Sequence, residues 1–321
     1  MSTAGTTLSQ AFAARVAEQV GNVIVGQREV VTHSLVAILA RGHVLLEGVP
    51  GTAKTLLVKA LAAALGREFR RVQMTPDLMP SDIVGTYVYD MHAQAFNLRR
   101  GPIFTSMLLA DEINRAPAKT QSALLEGMQE LQVTIDGITH ALDGEFTVFA
   151  TQNPVEFEGT YPLPEAQLDR FMLKISVGYP SKQEEDELLL RVHRGFDPLH
   201  LHPADIRPCV TAEDMARCRE EVLQVRAEDA VVGYVGEVIR ATRSSPHLVL
   251  GCSPRAGVMV LLAAKTFAAL TGRDFLIPDD VKAVALPALR HRVILRPEAD
   301  IEGLSADDVI RAVLNEVPVP R

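Results

Sequence analysis

Residues 43–55, HVLLEGVPGTAKT, combine residue types and a spacing that suit the binding of phosphate groups. The end of the segment reads G-x-x-x-x-A-K-T, close to the P-loop pattern G-x-x-x-x-G-K-[ST]. In such a loop, glycines let backbone N–H groups turn toward phosphate oxygens, and the following helix N-terminus favours an anion. Lys54 is placed to reach the β- and γ-phosphates, and the Thr55 hydroxyl to bind Mg²⁺. The candidate nucleotide-binding residues of this loop are Gly48, Val49, Pro50, Gly51, Thr52, Ala53, Lys54 and Thr55.

Ala53 stands where the P-loop pattern has glycine. Alanine adds only a methyl group, so the backbone can still approach a phosphate if Ala53 is helical and not at positive φ. The alternative is a chance Gly-rich turn between a strand and a helix, so the nucleotide interpretation needs support from other parts of the chain.

A pair of carboxylates, Asp111 and Glu112, follows the apolar run Ser106–Ala110. Carboxylates directly after a buried strand lie at the carboxyl edge of a parallel sheet, where ligands bind in open α/β folds. There, Asp111 would hold the Mg²⁺ shell and Glu112 would polarise an attacking water. The alternative is an ordinary acidic helix N-terminus. The upstream P-loop favours the catalytic interpretation.

Two further polar residues lie beside predicted core strands. Asn153 follows Phe146–Ala150, where its amide could touch the γ-phosphate or the water, although an Asx turn is the alternative. Arg170 precedes the strand Phe171–Val177. It could pair with Asp169 of its own chain or reach the γ-phosphate of a neighbouring subunit as an arginine finger, and the residues alone leave both open.

Arg255 occupies the first turn of a predicted helix, because Ser253 is a good N-cap and Pro254 suits the first helical position. A cation there opposes the helix dipole and calls for a compensating anion. That anion could be an acidic side chain or a nucleotide phosphate.

The segment Val23–Gln27 is either a turn that carries the nucleotide base or the joint before the next helix. The residues alone favour the joint. Gly26 and Gln27 remain candidate cofactor-binding residues of this turn.

Up to about residue 180, predicted strands and helices alternate, which indicates an α/β core with a parallel sheet. Tyr87–Leu98 and Val133–His140 each read as a β-hairpin, the second because of Asp136-Gly137. Residues 75–85 are dense in Pro and Asp and are predicted to be loop. The other predicted core elements are helices 8–20, 29–40, 55–65 and 120–131 and strands 44–46, 68–74, 106–110, 146–150 and 171–177.

Beyond Gly178–Ser181 the alternation stops and the chain is predicted to be all helical. Thr211–Asp214 and Ser305–Asp308 are capping boxes that open two of its helices. We therefore expect a core domain over residues 1–180 and a small helical domain over 181–321. The other predicted helices are 184–194, 228–243, 255–270 and 281–291.

Composition restricts the functional classes. The 321 residues carry a net charge of −8 and no tryptophan, which argues against a nucleic-acid binder. No apolar run has membrane-spanning length, the N-terminus does not resemble a signal peptide, and three widely spaced cysteines suit a reducing cytosol. We expect a cytoplasmic protein. His193, His200 and His202 suggest a metal site, but exposed histidines are the favoured interpretation.

Taken together, these motifs resemble the AAA+ ATPases, and within them the MoxR family. The resemblance covers the chain from about residue 20 to its end, and MoxR-like proteins commonly carry alanine at the position of Ala53. It implies an αβα core and a helical lid, with a helix-2 insert at about 82–100 and a pre-sensor-1 hairpin at about 131–142. GVPGTAKT resembles Walker A and MLLADE Walker B, and Asn153, Arg170 and Arg255 match sensor 1, the arginine finger and sensor 2. The longest similar segments are QMTPDLMPSDIVG, GPIFTSMLLADEINRAPAKTQSALLEGMQE, FATQNPVEFEGTYPLPEAQLDRFMLK and GCSPRAG.

The resemblance implies an ATPase that uses ATP and Mg²⁺, releases ADP and forms a hexameric ring. Family members act as chaperones or activators of metalloenzymes and other complexes, usually with a partner that carries a von Willebrand factor A domain; nothing in the sequence identifies the client. Arg170 would act on the neighbouring subunit, whereas Arg255 could serve either nucleotide.

Three alternatives remain open. A nucleic-acid motor with the same insert would need basic hairpins and an ATPase rate stimulated by DNA, yet residues 131–142 contain no Lys or Arg. A nucleotide-gated scaffold would lack turnover, which Glu112 and Asn153 argue against. A chelatase-type ATPase subunit shares the architecture.

Overall fold

A computed structural model describes residues 7–154, 159–197 and 205–320. Its core is a five-stranded parallel sheet in the order β2-β5-β8-β1-β9. Strands β1, β5 and β8 are almost entirely buried, as expected when helices cover both faces of a parallel sheet. The strands of this sheet are β1 (Val44–Glu47), β2 (Phe69–Gln73), β5 (Met107–Asp111), β8 (Thr147–Gln152) and β9 (Leu173–Ser176).

Helices cover the sheet, and two hairpins project from it. The predicted hairpins are confirmed as antiparallel pairs, and the Tyr87 hydroxyl of one hydrogen-bonds His140 Nε2 of the other at 3.2 Å. The two hairpins therefore contact each other. The helices are α1 (Leu8–Gly21), α2 (Arg28–Leu39), α3 (Lys54–Ala64), α4 (Pro80–Val84), α5 (Ala118–Glu130) and α6 (Glu165–Leu168), and the hairpin strands are β3 (Gly85–Asp90), β4 (Ala95–Arg100), β6 (Gln132–Ile135) and β7 (Ile138–Ala141).

The prediction that residues 75–85 are entirely loop is wrong, because α4 lies within them. Pro80 occupies its first position, where a missing N–H costs nothing. The Asp82 carboxylate accepts a hydrogen bond from the Met79 N–H at 2.8 Å, which satisfies a donor at the helix start. Proline and aspartate here begin a helix instead of excluding one.

The C-terminal part is a helical domain, as predicted, and it also contains one short antiparallel ladder that the sequence did not indicate. The ladder joins two segments far apart in sequence and carries no turn signal of its own. Both predicted capping boxes are confirmed. The elements are α7 (Lys182–His193), α8 (Ala212–Gln224), α9 (Asp229–Ser244), β10 (Leu248–Leu250), α10 (Pro254–Leu270), α11 (Pro278–Leu289), β11 (Ile294–Leu295), α12 (Pro297–Ile301) and α13 (Ala306–Glu316).

The N-terminal helices join the two parts of the chain. α1 packs on α8 and α10, and α2 packs on α10, so one hydrophobic cluster includes these helices, one face of the sheet and the C-terminal helices. A second cluster covers the other sheet face beneath α5 and the hairpins. The helical domain is therefore docked on α1 and α2 as well as on the sheet.

Several negative findings apply to the described residues. No helix among them is both long and apolar enough to cross a bilayer. They contain no group of three or more His, Cys, Asp or Glu side chains that could hold a metal ion. His200 and His202 lie outside the described residues. The three cysteines are free, and Cys218 and Cys252 are buried.

His43 is buried and links α5 to β8. Its Nε2–H donates to the Met128 carbonyl at 2.9 Å, and its Nδ1 accepts from the Val148 N–H at 3.0 Å. This pairing uses the neutral ring. Burial lowers the pKa of His43 from 6.5 to about 4, with the Met128 carbonyl opposing the change.

We expect acidification from pH 7 to pH 5 to lower the free energy of unfolding by about 2 kcal/mol through His43 alone. Between pH 6.5 and pH 4 the unfolded chain binds a proton at this ring that the folded chain does not bind, so stability falls as pH falls. Urea unfolding at both pH values would measure it. His43→Gln should be less stable at pH 7 but lose less on acidification; equal losses in both proteins would contradict the assignment.

Candidate active site

The P-loop, residues 48–55, connects β1 to α3 as predicted, but Ala53 is not helical. Ala53 has φ 59° and ψ 22°, directly before α3 begins at Lys54. The helical angles considered for Ala53 do not occur. The chain enters the helix through a left-handed residue, a conformation that glycine adopts readily and that costs a non-glycine residue about 1–2 kcal/mol. Gly48 is required for a different reason: a Cβ at this position would lie 2.3 Å from the Val177 carbonyl oxygen, which is too close.

Lys54 points into the hollow of this loop. Its Nζ donates to the Gly48 and Val49 carbonyls, both at 2.7 Å. Burial lowers the pKa of Lys54, while the charges of Asp111 and Glu112 act in the opposite direction. The loop thus holds one ammonium group between its own carbonyls and the two carboxylates.

Asp111 ends β5, and its carboxylate accepts hydrogen bonds from residues of β8, β2 and α3, the helix that follows the P-loop. Its Oδ1 accepts from Thr151 Oγ1 at 2.6 Å, and its Oδ2 from Thr55 Oγ1 at 3.3 Å. Arg71 reaches the same Oδ2 with Nε at 2.9 Å and Nη2 at 2.7 Å. The predicted metal-binding pair, Thr55 and Asp111, is brought together, and its hydroxyl and carboxylate oxygens are ligands that suit Mg²⁺.

Glu112 follows Asp111 with a left-handed backbone, φ 58° and ψ 54°. Its N–H donates to Thr151 Oγ1 at 2.8 Å, which supports this rare conformation. Gln73 Nε2 donates to its carboxylate at 2.7 Å, and Arg115 Nε lies 3.5 Å from the same oxygen. These contacts hold the Glu112 carboxylate at the edge of the sheet, between the end of β2 and Arg115.

P-loop residues 50–55, together with Asp111 and Glu112, line a cleft of about 500 Å³ between the core and the helical domain. One end holds the P-loop, Asp111, Glu112 and Asn153. The other end is mainly apolar, and its residues come from the turn before α2 and from the region around α7. An apolar wall opposite a phosphate loop suits a nucleotide base. The wall includes Val23, Ile24, Val25, Pro180, Leu188 and Phe196.

The two candidates in the turn before α2 differ in position. Gln27 lines the cleft, and its Nε2 donates to the Thr52 carbonyl at 3.0 Å. Gly26 is not among the lining residues; a Cβ there would lie 2.2 Å from Glu184 Oε1 of α7. The segment Val23–Gln27 is therefore the joint before α2, as the residues alone favour, and it also forms part of the cleft wall.

Arg170 and Arg255 are absent from the residues that line this cleft. Arg170 Nη1 donates to the Leu125 carbonyl at 2.6 Å, whereas the Asp169 carboxylate pairs with Arg292. The alternative of an Arg170–Asp169 pair is therefore wrong. Arg255 is exposed in the first turn of α10, which begins at Pro254 behind the N-cap Ser253, as predicted.

Two family models match the chain. The ATPase family associated with various cellular activities (AAA) matches residues 43–173, and the AAA lid domain matches residues 240–313. The chain is 45% identical to Chaperone MoxR1 of Mycobacterium tuberculosis, over 94% of this chain and 81% of that protein. It is 31% identical to Protein MoxR of Methylorubrum extorquens, over 96% and 95%. The chain belongs to the MoxR family of AAA+ ATPases.

Two further comparisons agree with this membership. YeaC of Bacillus subtilis, an uncharacterized protein, is 47% identical over 94% of this chain and 93% of its own. A crystal structure from Cytophaga hutchinsonii, of a protein to which ATPase function is ascribed, superposes with a TM-score of 0.88 at 42% identity. That likeness covers 98% of this chain and 97% of the other. The MoxR fold is thus shared over nearly the whole length.

Sequence reasoning missed several residues of this MoxR site. Thr151 bonds both Asp111 and the Glu112 backbone, while Arg71 and Gln73 of β2 reach the two carboxylates. The alternation of β2 could have identified Arg71 and Gln73 as a pair. Residues two apart on a strand share a face, so these two side chains point to the same side of the sheet. Nothing local distinguished Thr151 or the α7 side of the cleft.

Proposed function

We propose that this MoxR-family protein is a cytoplasmic ATPase of a hexameric ring, with each active site shared between two subunits. It would remodel a client protein or metalloenzyme together with a von Willebrand factor A domain partner. One observation carries the proposal: Lys54, Asp111, Glu112 and Asn153 line one cleft, whereas Arg170 and Arg255 lie outside it.

Within one subunit, the cleft suits ATP with its base on the apolar wall and its phosphates on the P-loop. Lys54 would bind the β- and γ-phosphates, and Thr55 and Asp111 would hold Mg²⁺, which supplies charge neutralisation on the phosphate oxygens. Glu112 would take the proton of the attacking water, and Asn153 would orient that water. The groups present support this binding mode, because the Thr55 hydroxyl, the Asp111 carboxylate and the Lys54 ammonium group lie together at the P-loop.

The two arginines would complete the site from a neighbouring subunit. Arg170 lies on the α5–α6 side of the core, and Arg255 is exposed at the start of α10. Among the described residues Arg255 has no ion-pair partner, so the anion that its helix position calls for would come from outside the subunit. A nucleotide held by the next subunit would meet both cations.

Client contact is proposed for the paired hairpins. The insert exposes a cluster of large apolar side chains, unusual for a solvated β-ribbon. The two hairpins contact each other through Tyr87 and His140, so a movement of one reaches the other. If deleting Tyr87–Leu98 left client activation intact, this role would be wrong. The exposed side chains are Val88, Tyr89, Met91 and Phe96.

The proposal is tested by measuring specific ATPase activity against protein concentration, with light scattering on the same samples. We expect activity to rise as rings form and then to level off, because a lone subunit lacks its arginines. A specific activity independent of concentration, in samples that scatter as monomers, would place a complete site within one chain.

Arg71→Met should lower the Mg²⁺ concentration that gives half-maximal ATPase activity by about threefold. The Arg71 guanidinium occupies Asp111 Oδ2, so its removal frees a ligand oxygen and also removes a repelling charge. Magnesium titrations at fixed ATP concentration would measure the change. Arg70→Met is the control, because Arg70 lies on the same strand as Arg71 but pairs with Glu68, directly before that strand. An equal shift in both variants, or none in Arg71→Met, would contradict the competition.

A further inference from the structure

Arg292 is a buried cation whose hydrogen bonds concentrate on residues 169–172. Only 2% of its side chain is exposed, and it follows the end of α11 in the lid. Its Nε donates to Asp169 Oδ1 at 2.6 Å. Its Nη2 donates to the Asp169 carbonyl at 3.2 Å and the Phe171 carbonyl at 2.7 Å, and its Nη1 to the Met172 carbonyl at 3.1 Å.

The neighbouring lid residue adds a second donor to the same segment. His291 Nε2–H donates to the Phe171 carbonyl at 2.9 Å. Burial keeps the pKa of His291 well below its usual value, so the ring is neutral and donates through this single nitrogen. Two consecutive lid side chains thus hold the backbone on both sides of Arg170.

Burying the guanidinium group of Arg292 costs free energy unless its charge and its N–H groups all have partners. A buried guanidinium needs an acidic partner and acceptors for its other N–H groups, and Arg292 has both. Burial lowers the pKa of Arg292, while hydrogen bonding to Asp169 raises it. The carbonyl of Arg170 is the one carbonyl of residues 169–172 that neither lid side chain binds.

We propose that Arg292 is a positioning residue: it fixes the segment 169–172 so that Arg170 meets the nucleotide bound by the neighbouring subunit. The proposal rests on the interfacial role proposed above for Arg170. Because Arg292 belongs to the lid and Arg170 to the core, the position of the finger depends on how the lid sits on its own core. The lid of one subunit thereby sets the activity of the next subunit's site.

The test uses mixed rings of two variants, co-expressed with different tags. Glu112→Gln subunits keep their finger but have a disabled site; Arg170→Ala subunits keep their site but lack the finger. Activity in the mixture arises where a Glu112→Gln subunit supplies Arg170 to an Arg170→Ala site. If the parent mixture is inactive, the interfacial proposal itself fails, before Arg292 is changed.

Arg292→Lys is then added to one partner at a time. In the finger-supplying Glu112→Gln subunit we expect the recovered rate to fall by about tenfold or more, since small misplacements of catalytic groups are costly. In the site-supplying Arg170→Ala subunit we expect no change, because that subunit has no finger to position. Equal losses in both placements would indicate a folding or assembly role and overturn the proposal, as would no loss in either.

Two further variants keep this result interpretable. Asp169→Asn removes the charge of the acidic partner with little change in shape and should reproduce the one-sided loss. Arg290→Lys is the matched control, since Arg290 also joins the lid to the core but bonds Ser176 of β9 and Asp307, not the finger segment. It should leave the recovered rate unchanged in either subunit. ATP affinity should stay at the wild-type value in Arg292→Lys homomers while kcat falls.

Discussion

Glu112→Gln is expected to lower the ATP turnover number by at least about a hundredfold and to leave ATP affinity close to wild type. The amide keeps the shape of the side chain but cannot accept the proton of the attacking water. Substrate binding depends on other groups, the P-loop backbone, Lys54 and the Thr55–Asp111 pair. Steady-state kinetics together with nucleotide-binding titration would separate the two effects.

The left-handed backbone of Glu112 makes the isosteric variant preferable to alanine. Its N–H bond to Thr151 is unaffected by the side-chain change, so the sheet edge should stay in place. Glu213→Gln removes one carboxylate from an exposed position on α8 and serves as control. A Glu112→Gln protein with near wild-type turnover would mean that another group acts as the base.

Arg170→Ala should lower turnover by about a thousandfold, within the range for arginine fingers, without loss of ATP binding. The expected cause is the missing positive charge on the transferred phosphoryl group of the neighbouring site. Among the residues that the structure describes, Arg170 bonds only the Leu125 carbonyl, and its side chain is half-buried, so the fold should tolerate the change. Rates should be measured at a concentration where light scattering shows assembled protein.

Arg240→Ala is the matched control for that experiment. Arg240 is exposed on α9 and pairs with Glu237 of the same helix. Its loss changes the net charge by the same amount and should leave the rate unaltered. Wild-type turnover in Arg170→Ala would show that the finger is misassigned, and an equal fall in both variants would indicate a general charge effect.

At the sheet edge, local sequence predicts the position of the two carboxylates but not their partners. Asp111 and Glu112 were predicted to lie there because they follow a buried apolar strand, and they do. Their partners could not be predicted, because these depend on the strand order β2-β5-β8. That order aligns Gln73 with Asp111 and Ala110 with Ala150, which brings Thr151 beside Asp111. Strand order arises from packing across the whole sheet and leaves little trace in any one strand.

Ala53 and Pro80 show a second kind of limit. Local rules disfavour a left-handed alanine and a helix in a Pro-rich segment, yet both occur. At Ala53 the joined strand and helix determine the backbone angles, so tertiary packing overrides a preference of about 1–2 kcal/mol. At Pro80 the first helical position removes the usual objection to proline.

Apolar periodicity and short motifs act within a few residues, so the sequence alone predicts most of the helices and strands, the P-loop, the carboxylate pair and the capping boxes. Three features depend on the tertiary structure. The helical domain supplies part of the cleft wall, Asp169 pairs with Arg292 rather than Arg170, and Arg170 and Arg255 lie outside the cleft of their own chain. Asp169 and Arg292 are 123 positions apart. Such a pair forms only when the fold brings the two segments together, and no local preference encodes it.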